Sequence, residues 1–133
     1  MNMPSPRMGT DRELSGPALR TFFKIAEAWK LDRDEQMRLL GLNAISTYYK
    51  WKEAPQKARL GRDTLERLSY IFGIYKALQI LLPDPRAADG WIRKPNKAPL
   101  FGGKPALERM LSGNVADLYV VREYLDAQRG GWS

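Results

Sequence analysis

The chain of 133 residues contains no cysteine and no histidine. The first absence removes disulfides, thiolate metal sites and cysteine nucleophiles. With the second go imidazole-bound metals and every Ser-His-Asp or Cys-His catalytic unit. Carboxylates, lysines, tyrosines and serines remain, but the side chain best matched to proton transfer near neutral pH is missing. No catalytic or metal-ligating residue is assigned, no cofactor is expected, and a binding protein is favoured over an enzyme. Without disulfides an extracellular life has no support, and a reducing cytoplasm fits. Long apolar runs are lacking too. The most apolar stretch, Ile71 to Leu82, is interrupted by Lys76 and Gln79, whereas a membrane span needs about 20 apolar residues. The opening residues MNMPSPRMGTDRELSG hold no apolar core of the kind a signal peptide has. A soluble cytoplasmic protein without a membrane partner is expected.

What the chain has in excess is positive charge, 22 Lys and Arg against 15 Asp and Glu, for a net +7. That balance suits a polyanionic or acidic partner, and equally the solubility of a small domain. Its distribution says more than its total. Between residues 44 and 62, Lys50, Lys52, Lys57, Arg59 and Arg62 stand against Glu53 alone, the concentration that phosphate contacts require.

The length fits one domain, or a small module with an appendage. Residues 1–13 mix proline, glycine, methionine and charge without periodicity and read as a flexible arm. Ser15 and Pro17 suit a cap and first turn, and Leu19, Phe22, Phe23, Ala26 and Trp29 then form an apolar stripe, predicting a helix over 17–30. Asp32 with Glu35 three residues on resembles a capping box opening a second, short helix. Its carboxylates, Asp34 included, are explained by capping and the helix dipole and not by a metal or acid–base site. Gly41 ends that helix, since a left-handed residue is needed there and glycine has no Cβ to clash. Asn43 can cap a third helix, which Pro55 stops at or before Ala54.

Two short helices joined by a glycine-containing turn are the pattern of a helix-turn-helix. On the third helix Asn43, Ser46, Thr47 and Lys50 recur at i, i+3, i+4 and i+7. If Ile45 and Tyr48 anchor the core, that polar stripe faces outward, where a recognition helix reads base edges. The candidate DNA-binding residues are Asn43, Ser46, Thr47, Lys50, Lys52, Lys57, Arg59 and Arg62. The alternative is a solvated helix face within an all-helical bundle.

A long helix follows, with Asp63 paired to Arg67 at i+4 and Leu65, Leu68, Ile71, Phe72, Tyr75, Leu78 and Leu82 apolar. Pro83, Pro85, Pro95, Pro99 and Pro105 exclude a continuous helix or an interior strand. Trp91, Ile92, Leu100 and Phe101 give this stretch anchors, so an ordered, packed loop is expected. Gly102-Gly103-Lys104 lacks the spacing of a phosphate loop. A short helix from Pro105 to Gly113 and a last one opened by Asn114 and Asp117, with Leu118, Val121, Tyr124 and Leu125 inside, complete the chain. Trp132 after Gly130-Gly131 suits a partner-binding tail, or equally a tail docked on its own core.

From about residue 36 onward the chain resembles the Xre/MbcA/ParS antitoxins that are paired with RES-domain toxins. The resemblance is carried by Gly41, the helix Ser46 to Lys52, and Asp63 with Leu65-Glu66-Arg67-Leu68. It continues through Trp91-Ile92, Pro95-Asn96, Phe101-Gly102-Gly103-Lys104-Pro105-Ala106-Leu107, Val121-Arg122 and Tyr124-Leu125-Asp126. Phe101 stands where the family often has leucine, and the N-terminal arm is unexplained by it. Beyond the arm (1–13), which is read from composition alone, the resemblance implies an all-α chain with a helix-turn-helix DNA-binding domain (14–62) and a toxin-binding domain with a C-terminal tail (63–133). It implies a homodimer that binds operator DNA and a RES toxin that consumes NAD⁺. By analogy Arg129, Gly130, Gly131, Trp132 and Ser133 would block the toxin, while Trp91, Asn96, Phe101 and Gly103 shape the platform or serve as scaffold. The other reading is a stand-alone repressor that dimerises through its C-terminal half.

Overall fold

The fold is described from a computed structural model, which defines the backbone of residues 6–130 and the side chains of residues 14–130. The described residues form seven α-helices and no strand: α1 Pro6–Ala28, α2 Arg33–Leu40, α3 Ile45–Glu53, α4 Arg62–Leu81, α5 Pro85–Gly90, α6 Ala106–Met110 and α7 Val115–Gly130. Short 3-10 turns, Pro55–Lys57 and Trp91–Arg93, follow α3 and α5.

The most apolar helix is the central one. Leu68, Ile71, Ile74, Ala77 and Leu78 of α4 are fully buried, and α1, α2, α5 and α7 all pack on it. The buried residues form one contiguous core running from Leu19 of α1 to Leu125 of α7. The helix-turn-helix and the C-terminal helices are thus mounted on the same rod.

Four local expectations are corrected. The first helix does not begin near Pro17. It runs from Pro6 with Pro17 inside it, so part of the expected arm 1–13 is helical backbone. Ser15 is not a cap: it is buried, and its hydroxyl accepts the Leu60 N–H at 3.1 Å. The helix also ends two residues early, because Lys30 turns left-handed (φ 56°) and the Leu31 N–H returns to the Ala26 carbonyl at 2.9 Å. The stretch after Pro83 contains a helix, α5, started by the Asp84 carboxylate accepting the Arg86 N–H, with Pro85 in the first turn where its missing N–H is harmless. At the start of α7 the Asn114 N–H donates to the Ser112 hydroxyl at 3.0 Å and the Asp117 N–H to the Asn114 carbonyl at 3.1 Å. The Asp117 carboxylate accepts from the Ser112 hydroxyl and from Arg109 Nε at 2.9 Å. These partners, the serine first, hold the Asp117 carboxyl below the usual range against the opposing effect of burial.

Candidate functional site

α2 opens with the expected capping box. The Glu35 N–H donates to Asp32 Oδ1 at 2.8 Å and the Asp32 N–H to Glu35 Oε1 at 2.9 Å. It ends at Gly41 with φ 75°. A Cβ built there would lie 2.7 Å from Arg67 Nε, so glycine is required both by the turn and by the arginine crossing it. That arginine donates to Asp63 Oδ2 at 2.8 Å and to the Gly113 carbonyl at 2.9 Å. Arg38 donates to the Leu111 carbonyl at 3.2 Å. The Arg38 contact fastens α2, and the Arg67 contact α4, to the α6–α7 turn.

The angle between α2 and α3 is set by one buried amide. Gln36 donates from Nε2 to the Leu31 carbonyl at 2.9 Å and accepts from the Tyr48 hydroxyl at 2.8 Å. The pairing satisfies polar groups that would otherwise be costly to bury. Tyr48 is the helix's one fully buried side chain, packed edge-on against Phe23 of α1.

The remaining faces of α3 differ from expectation. Ile45 is not a core anchor; it is 47% exposed. Successive residues of a helix turn by 100°, so with Tyr48 inward the outward side carries Ser46, Lys50 and Glu53, with Tyr49 at its edge and Ile45 between Tyr49 and Tyr48. Thr47 is half-buried. Asn43 does not cap α3, whose N-cap is Ala44 without a side-chain bond. Asn43 is exposed and lines a cleft of about 660 Å³ with Gly41, Arg38, Arg67 and Gly113. Lys52 leaves the outward face, its ammonium 5.1 Å from the centre of the Phe23 ring and 5.9 Å from that of Tyr48. Lys57, Arg59 and Arg62 are exposed. The connector alternates there, Ala58 and Leu60 turning in while the cations turn out. Arg33, at the start of α2, was not singled out from sequence. Its guanidinium lies by the Tyr49 hydroxyl and the Asp34 carboxylate, which both favour its charged form.

The C-terminal candidates fall into two groups. In the first, the loop after the turn Trp91–Arg93 closes on itself. The Gly103 N–H donates to the Asn96 carbonyl at 2.8 Å, the Asn96 N–H to the Lys104 carbonyl at 3.2 Å, and Asn96 Oδ1 accepts the Ala98 N–H at 2.9 Å. Gly103, exposed, takes φ 88°, a conformation other residues resist. Phe101 is buried and meets Trp91 and Tyr124 edge-on, at 5.9 and 5.3 Å. Trp91, half-buried, also stacks with Tyr124 at 6.4 Å. In the second group, Arg129 and Gly130 border a shallow cleft with Ile80, Leu81, Arg122 and Asp126 at the far end of α7. Gly131, Trp132 and Ser133 lie outside the described residues. Arg93 ties this region to the first helices, donating to the Trp29 and Lys30 carbonyls at 3.1 and 2.8 Å and to Glu35 at 3.3 Å.

Among the described residues no group of three or more acidic side chains is placed to hold a metal ion, and no helix is long and apolar enough to cross a membrane. A rigid helix pair whose second helix presents an open, partly cationic face defines a helix-turn-helix protein, here carrying a second helical region on the same central helix. Residues 9–73 match the Antitoxin Xre-like helix-turn-helix domain, and residues 77–131 match the Antitoxin Xre/MbcA/ParS C-terminal toxin-binding domain. A protein of Sinorhizobium fredii (strain NBRC 101917 / NGR234), "Uncharacterized protein y4oB", is 52% identical over 113 residues, 85% of this chain and 84% of the relative. No solved structure matches the chain. The chain belongs to the Xre/MbcA/ParS antitoxin family. It is an antitoxin that joins a DNA-binding helix-turn-helix to a toxin-binding region. The two matches meet between residues 73 and 77, inside α4.

Proposed function

We propose that this antitoxin neutralises a cognate RES-domain toxin, an NAD⁺-consuming enzyme, by direct binding in the cytoplasm, and that as a homodimer or toxin complex it represses its own operon. The observation that carries this reading is the union on one core of an open helix face flanked by exposed cations and a region matching a toxin-binding domain. Lys50, Lys57, Arg59 and Arg62 contact phosphates, Ser46 reaches base edges, and Asn43, Thr47 and Lys52 support that surface from its margins. Trp91, Asn96, Phe101 and Gly103 shape the toxin platform, and Arg129 to Ser133, with Trp132 as anchor, close the toxin's access to NAD⁺. The chemistry of the pair belongs to the toxin, and the antitoxin acts as a regulator without catalysis of its own.

Co-expression with the toxin encoded beside it, followed by pull-down and an NAD⁺ consumption assay, tests this reading. The full chain copurifies with the toxin and silences it, and deletion of residues 129–133 restores part of the NAD⁺ consumption. Full inhibition by the truncated chain removes the tail's role. Absence of copurification, together with promoter binding by the chain alone, favours the stand-alone repressor.

A further inference from the structure

One flank of α3 carries two side chains that a helix merely facing water does not need. Ile45 is 47% and Tyr49 51% exposed. Standing at i and i+4, they are neighbours on one ridge. Ser46 and Lys50 form the adjoining ridge at the same spacing. Ile45 is the first residue of the helix, the end from which a recognition helix reaches base edges. The Tyr49 ring is propped edge-on against Tyr48 at 5.2 Å, and its hydroxyl lies by the Arg33 guanidinium. Tyr48 is in turn fixed by Gln36. The ridge therefore stands on a rigid base, as a surface for shape-specific contact must.

The ridge runs on into the exposed Glu53 at the C-terminal end of α3, while its N-terminal end, Ile45 with Tyr49, has Lys50 and the Asp34-paired Arg33 beside it. That end, the one a recognition helix turns to the bases, calls for a partner that offers an apolar spot among anionic groups. The major groove supplies one, because thymine places its C5-methyl group there among base-edge donors and acceptors, between two rows of phosphates. We propose that Ile45 and Tyr49 are specificity determinants that read thymine by contact with its C5-methyl group. The inference rests on the DNA-binding reading above and adds to it the base that is read.

The test uses the full chain and the DNA upstream of its own gene, amplified once with dTTP and once with dUTP, which removes every C5-methyl group and keeps every phosphate. Titrations of the two fragments at fixed salt measure the preference. The expected result is weaker binding of the uracil fragment, by about fourfold for each methyl group contacted, the value of burying one such group. Ile45→Ala weakens binding of the thymine fragment and shrinks the preference. Ile45→Val and Tyr49→Phe, which keep apolar contact, retain most of it. Circular dichroism of each variant establishes that the helices persist.

Equal affinity of the natural protein for the two fragments overturns the proposal, and so does an undiminished preference in Ile45→Ala. If that variant instead turns a dimer into a monomer in sedimentation with its preference intact, the ridge belongs to a second copy and the proposal fails. Failure of the folded natural protein to bind either fragment defeats the DNA-binding reading itself, a different outcome from equal binding of both.

Discussion

The outer face of α3 and the loop from 94 to 105 both set lysine beside uncharged polar and aromatic residues, yet the fold uses them in opposite ways. On α3, Ser46, Tyr49 and Lys50 stand open on a base fixed from behind by Gln36 and Tyr48. In the loop, Asn96 and Gly103 bond to each other's neighbourhood and Phe101 is sunk between Trp91 and Tyr124. A surface that reads another molecule by hydrogen bonds keeps its polar groups available, whereas one that presents a shape satisfies them internally. The first fits DNA and the second fits a protein platform.

The contrast can be broken most forcefully from the loop side. Phe101→Ala removes a buried ring and should destabilise the protein by about 3 kcal/mol, visible as a lower midpoint in urea denaturation. A loop that merely covered the surface would lose under 0.5 kcal/mol. Gly41→Ala comes next. It forces a left-handed alanine, costing about 1–2 kcal/mol, and drives its methyl toward Arg67, so both the denaturation midpoint and promoter affinity should fall. Lys50 and Lys52 sharpen the comparison at smaller scale. Lys50→Ala should leave stability within about 0.5 kcal/mol and lower the salt slope of promoter binding by about 1. Lys52→Ala should cost about 0.5 kcal/mol through its lost place over the Phe23 ring and change the salt slope less. The smallest effect concerns pH. Asp117 has a folded pKa depressed below its unfolded value of 3.8. Its contribution to stability is present above that value and is lost as pH falls through the lower folded one. Relative to the natural chain, Asp117→Asn should be less stable near neutrality and the gap should narrow below about pH 4, as denaturation midpoints at several pH values would register.

Much of this design is legible in the residues. The Asp32–Glu35 box, Gly41, the stop before Pro55 and the inward Leu118, Val121 and Leu125 follow from local rules, because each involves neighbours a few positions apart. The misplaced features depend on distant partners. Helix α1 continues through Pro17, and Ser15, read as a cap, is bonded to Leu60. Lys52 looks like a free cation until α1 brings Phe23 beneath it. An inward Ile45 is what amphipathic periodicity favours, and periodicity alone does not mark an apolar side chain kept outside for a partner. Of the candidate site, the basic cluster was visible in sequence, while Arg33 and the internal bonding of Asn96 required the fold.

The central claim is that one core carries two surfaces with separate tasks, DNA on α3 and toxin on the C-terminal region. The most direct measurement is a titration of the cognate toxin's NAD⁺ consumption with the double variant Ile45→Ala, Lys50→Ala, after its loss of promoter binding has been established. The account predicts inhibition at the same antitoxin concentration as the natural chain requires; a loss of inhibition that parallels the loss of DNA binding would contradict it.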